Sequence, residues 1–152
     1  MSTLAATSSR VDVLHPMPAA TAGAVTFTLA MTAGEVFGLN ADAGTGPATS
    51  PAEISAYAAL VLAAMLVALW LGLRARAGSP KRLAAPALAL AIAAALLLVA
   101  FWSGWSQTLG AVAMALALEH RRRNGSFSAT TAAALIIGAI AFLASTTTCV
   151  LG

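Results

Sequence analysis

The sequence predicts an all-α membrane protein, a polytopic bundle of transmembrane helices with five spans, or four if the weakest run does not cross. Three observations lead there. Long apolar runs recur at Ile54–Leu73, Leu83–Trp102 and Ala129–Cys149. About twenty apolar residues at 1.5 Å rise each match a hydrocarbon core of roughly 30 Å. Charged residues make up only 9% of the 152 residues, too few for the water-facing surface of a soluble domain, where about a quarter are charged. Finally, most of the basic residues are confined to two short stretches between apolar runs, as expected of loops retained on the cytoplasmic face.

In chain order, residues 1–18 form an N-terminal tail and residues 19–152 a single transmembrane domain, with spans at about 19–39, 54–73, 83–102, 106–119 and 128–149. The first run, Ala19–Leu39, carries Glu35 and several threonines and is a weak span. It has the alternative of a secretory signal segment, with Ala41-Asp42-Ala43 as the cleavage site, although its cationic start is poor. The second helix has a clear beginning. Ser50 suits the N-cap, Pro51 the first helical position, and Glu53 completes a capping box.

Ser79-Pro80 supplies a similar start for the third run, while Gly78 and Gly125 suit helix C-termini. Ser103-Gly104-Trp105-Ser106-Gln107 divides a stretch from Leu83 to Glu119 that is too long for one crossing, and reads as a tight hairpin. Ser126 or Ser128 can cap the last helix. Trp70, Trp102 and Trp105 fall near the expected membrane interfaces, where amphipathic rings collect.

Orientation follows from the basic residues. Arg74, Arg76, Lys81 and Arg82 join the second and third runs, and Arg121, Arg122 and Arg123 join the fourth and fifth. Both groups belong in the cytoplasm. The N-terminus is then cytoplasmic, the C-terminus external, and Asp42 and Glu53 lie on the external face. The pI near 10.0 rests on eight Lys and Arg, most of them flanking spans, so it points to lipid head groups and not to nucleic acid.

With one Cys, two His and no metalloprotease, phosphate-loop or dinucleotide-binding pattern, the chain calls for no metal and no cofactor. His120 beside the arginines reads as part of an interfacial basic cluster. Cys149-Val150-Leu151-Gly152 has the length of a prenylation box but the wrong last residue, and Asn124-Gly125-Ser126 falls on the cytoplasmic side, where no glycan is added.

Three stripes of small residues, Ala64/Ala68/Gly72, Ala85/Ala89/Ala93 and Ala134/Gly138, suit close helix packing, either within the chain or against a partner. Glu35 is the carboxylate most in need of a reason, since an ionisable group within a span is costly. It is either an interfacial or paired group, or a proton- or cation-binding one. Asp42 and Glu53 join it as candidate catalytic acids or bases, and Tyr57, Trp102, Trp105 and Gln107 as a candidate ligand pocket at the external helix ends.

The segment Gly34-Glu35-Val36-Phe37-Gly38-Leu39, the apolar pair around a basic loop, Leu109-Gly110-Ala111-Val112 before Arg121–Arg123 and Ile136-Ile137-Gly138-Ala139 after it resemble small multi-pass membrane proteins of high-GC actinobacteria, a group with no assigned activity. The resemblance runs from Gly34 to the end and implies a bacterial plasma-membrane helical bundle. The leading functional expectation is an accessory or assembly subunit, packing against a larger membrane complex or its own copies. The alternatives are a membrane-embedded enzyme or binding protein for an apolar or lipid-like molecule at the external interface, and a small oligomeric transporter with Glu35 as coupling site.

Overall fold

A computed structural model describes residues 12, 14–37, 39 and 51–151. Asp42 and Ser50 lie outside the described residues, and with them the expected cleavage site and the N-cap expected before Pro51. Among the described residues the chain is all-helical. Helix α1 spans Pro16–Val36, α2 Pro51–Arg76, α3 Ala84–Leu96, α4 Trp105–Asn124 and α5 Ala129–Leu151, with 3₁₀ segments at Pro80–Leu83 and Leu97–Ser103.

Several ends form for the reasons legible in the sequence. Pro51 opens α2 and Glu53 sits in its first turn, where an acid favours the positive end of the helix dipole. His15 caps α1, its Nδ1 accepting from the Met17 N–H at 3.2 Å. Gly125 ends α4 in the left-handed region at φ 77°, its N–H donating to the Arg121 carbonyl. The Ser128 hydroxyl accepts from the Thr131 N–H at 3.2 Å at the start of α5. Ser79 differs: it precedes the Pro80–Leu83 turn without a side-chain capping bond.

The expected hairpin is a pivot of one residue. The α3 path tightens into the Leu97–Ser103 segment, breaks helical geometry at Ala100, and reverses at Gly104 with φ 73°. Glycine is required there twice over. The angle disfavours other residues, and a Cβ would sit 2.9 Å from the Phe27 ring.

Among the described residues three helical stretches are long and apolar enough to cross a membrane: Pro51–Arg76, Ala84–Ser103 (α3 with its 3₁₀ continuation) and Ala129–Leu151. The other two of the five expected spans fall short on composition. Helix α1 carries four threonines and Glu35, and α4 carries Glu119 and Arg121–Arg123. Those arginines were expected in a loop, but they form the last turn of α4, where cations favour the negative end of the dipole.

Helix α4 is the centre of the bundle. Thirteen of its 20 residues are buried, and it packs on α1, α2, α3 and α5. Ser106, Gln107, Thr108, Glu119 and His120 are buried on it, so a low hydropathy is no obstacle where the surroundings are protein. Helix α2 is the opposite case. It buries only Ala64, Ala68 and Gly72 of its 26 residues and exposes Leu62, Leu66 and Trp70.

The small-residue stripes divide accordingly. Ala64/Ala68/Gly72 faces inward, where a Cβ on Gly72 would meet Pro16 at 2.7 Å and Val112 at 2.9 Å. Ala134/Gly138 also faces inward, and Gly138 crosses Gly110 so closely that a Cβ would stand 3.2 Å from the Gly110 carbonyl oxygen. Both stripes are used within the chain. Only Ala85/Ala89 is exposed, with Ala93 half-buried.

Candidate functional site

Of the residues expected to form one pocket, Tyr57 and Gln107 fall on opposite sides of Phe27, and Trp102 on neither. On one side, α1 and α2 diverge and leave an open groove of about 500 Å³ between them. Phe27, Met31, Ile54, Val61, Leu62 and Met65 give it apolar walls. Its polar groups are Thr28, Thr32, Glu35 and Tyr57. The groove forms because α2 touches its neighbours through small residues only in its second half, while its first half, from Pro51, buries nothing.

The helical repeat sets which side chains reach the groove. Thr28, Met31, Thr32 and Glu35 recur at the three- and four-residue spacing of one α1 face, and Ile54, Tyr57, Ala58, Val61, Leu62 and Met65 do the same on α2. Glu35, near the C-terminal end of α1, is exposed and makes no ion pair among the described residues. Glu53 is exposed in the first turn of α2 and does not line the groove.

On the other side of Phe27 lies a sealed interior. Phe27 is 3% exposed and packs in one cluster with Ala30, Cys149 and Phe101. Gln107 is fully buried beyond it, its Nε2 donating to Cys149 Sγ at 3.3 Å. Ser106 donates to the Ala94 carbonyl at 2.9 Å, and Thr108 turns back to the Gly104 carbonyl. Gln107 Oε1 and Ser145 Oγ are buried without a partner among the described residues. Gln107 is thus a core residue of the α4–α5 contact and not a wall of the open pocket. Trp105 is half-buried, and Trp102 is exposed and does not line the groove.

At the far end of the molecule a charged cluster, missed in the sequence, ties three segments together. Glu119 is fully buried on α4. Its carboxylate accepts from Arg122 Nη2 at 3.0 Å and from Arg123 Nε, with Arg76 of α2 at 3.5 Å. Asp12 from the tail bridges Arg76 and Arg122, the latter at 3.0 Å. Hydrogen bonds from Arg76 and then Arg122 hold the Asp12 carboxyl down at about 2. Glu119 was legible in principle, since acid-to-Arg spacings of three and four residues pair on a helix surface; Asp12 offered no local signal.

Arg74 and Arg121 stand in the last turns of α2 and α4, the same helix ends that supply the arginines of this cluster. Arg74 lies over Trp70 at 5.5 Å and Arg121 over Phe127 at 4.9 Å. Arg82 is exposed beyond the end of α2, in the same 3₁₀ turn as Lys81. Asp12 joins Arg76 to Arg122, so the ends of α2 and α4 share one end of the bundle.

No three His, Cys, Asp or Glu side chains converge to hold a metal among the described residues. No protein-family model, curated protein or solved structure matches the chain.

Proposed function

We propose that the chain is an integral membrane protein that holds an apolar or amphiphilic small molecule in the groove between α1 and α2. The reading rests on the groove itself. Its volume falls in the range that takes a small ligand, and its walls are mainly apolar with a few polar groups among them. The accessory-subunit reading loses two of its three packing stripes to contacts within the chain.

The same reading places five crossings in a bacterial plasma membrane, with the N-terminus cytoplasmic and the C-terminus external. It is supported by the gathering of arginines at one end and by the enclosure of α4, which lets a helix poor in hydropathy lie among lipid-facing neighbours. The resemblance to actinobacterial membrane proteins agrees with this location.

Blocking the groove tests the function. Native mass spectrometry of protein purified from membranes should show a retained small molecule that is lost in Ala58→Trp, which fills the groove, and kept in Leu143→Trp on the outer face of α5. The same bound species in wild type and Ala58→Trp, or no bound species in wild type, overturns the proposal.

One observation favours a second reading, an accessory subunit: the Ala85/Ala89 face of α3 remains exposed. A close helix contact there would be broken by Ala89→Leu. Unchanged co-purification of partners or copies with that variant removes the reading.

A further inference from the structure

We infer that the groove is selective for an amphiphile bearing a protonated amine, with its ammonium at Glu35 and its hydrocarbon chain between α1 and α2. This inference rests on the proposed binding function and names the chemistry of the ligand.

The polar groups of the groove are nearly all acceptors. Thr28 donates its hydroxyl hydrogen to the Ala24 carbonyl at 3.0 Å, and Thr32 donates its own to the Thr28 carbonyl at 2.8 Å. A threonine hydroxyl has one hydrogen and two lone pairs. With the hydrogen engaged in the helix, what remains is acceptor capacity.

Glu35, once ionised, is acceptor-only. It has no cationic partner among the described residues. Tyr57 alone retains a donor. The Glu35 carboxylate, with the acceptor-biased Thr32 hydroxyl one helical turn before it, is complementary to a group that brings several N–H donors and a positive charge, whereas Thr28 lies about 10 Å from Glu35 along the helix axis and does not share that group. An ammonium does so. A carboxylate or phosphate would meet like charge, and an alcohol would bring one donor and no charge.

The other half of the ligand follows from the walls. Met31, Val61, Leu62 and Met65 are apolar, and Ile54 and Leu62 are more than half exposed. Burying an alkyl chain against them removes apolar area on both sides. Methionines add walls that adapt to chains of differing length.

The test is photolabelling in phosphatidylcholine nanodiscs with two probes of equal length: a diazirine-bearing dodecylamine and the matching dodecanol. Adducts on Met31, Val61 and Leu62 are counted against those on Leu143, an outward residue of α5 that is 63% exposed. The normalisation removes differences in membrane partition.

The amine should label the groove roughly tenfold more than the alcohol, the ratio that about 1.4 kcal/mol of charge-assisted contact produces. Glu35→Gln should bring the amine down to near the level of the alcohol, whose own labelling should change far less. Ala58→Trp should suppress both. Equal labelling by the two probes, blocked by Ala58→Trp, overturns the amine selectivity and leaves the binding function intact. Labelling no greater than at Leu143 with either probe overturns both. If Glu35→Gln fails to fold, the comparison of the two probes in wild type still decides.

Discussion

Gly23→Ala tests the α1–α4 crossing, because there the expected sign is opposite to the local one. In a helix interior, glycine to alanine normally stabilises by about 1 kcal/mol. At Gly23 the added methyl would lie 2.6 Å from the Thr108 Cα, 2.8 Å from the Gln107 carbonyl oxygen and 3.0 Å from the Thr108 nitrogen. All three are backbone atoms, so no rotamer change relieves the contact. Opening from 2.6 Å to an ordinary separation of about 3.4 Å moves the helices apart by roughly 0.8 Å, a gap that forfeits a quarter to a half of each neighbouring dispersion contact. Overpacking of this kind costs about 1–3 kcal/mol. Three simultaneous backbone contacts put the cost in the upper part of that range, about 2–3 kcal/mol, and set against a propensity gain of about 1 kcal/mol the net is a destabilisation of about 1–2 kcal/mol. Equilibrium unfolding in detergent by denaturant titration, with near-ultraviolet dichroism of Trp105 as a local probe, measures it. A Gly23→Ala variant as stable as wild type, or more so, would refute the close crossing and with it the position of α1 against the hairpin.

Three further outcomes follow from the packing and the charges. Gly138→Leu should destabilise the monomer by about 2 kcal/mol or more, because its side chain would be driven into the Gly110 carbonyl and Met114; loss of a homo-oligomer without loss of thermal stability would contradict this. Glu119→Gln leaves Arg123 without its anionic acceptor and Arg122 with Asp12 alone and should lower stability by about 2 kcal/mol, the scale of a hydrogen bond to a charged group; unchanged denaturant unfolding would remove Glu119 as a structural centre. Asp12 has a folded value of about 2, below its ordinary 3.8. Its contribution is therefore complete above about pH 4 and is lost as pH falls through about 2. A spin label at Leu14 should stay ordered from pH 8 to 5 and loosen only in strong acid, whereas Asp12→Asn should loosen it throughout. Release with a midpoint above pH 5 would show that another group holds the tail.

The sequence by itself determined the helical class, three strongly apolar helices and most of their ends. Pro51, Gly104, Gly125 and Ser128 act through local geometry: a fixed φ, a left-handed angle or a hydroxyl within reach of a free N–H. Such effects involve neighbours only a few residues away, so the chain alone reveals them. Tertiary structure decided which helix became the core. Hydropathy selects α2 over α4, yet α2 is the most exposed helix and α4 the most enclosed, because hydropathy reports what a helix tolerates around it and not what surrounds it. The same limit applies to the site. Glu35 and Tyr57 share a groove, whereas Gln107, expected beside them, is sealed behind Phe27. Helix ends can be ordered from sequence, but the rotation of each helix about its axis is set by contacts such as Gly23 on Thr108 and Gly110 on Gly138. Turning a helix by half a turn exchanges its buried and open faces without changing a single local preference.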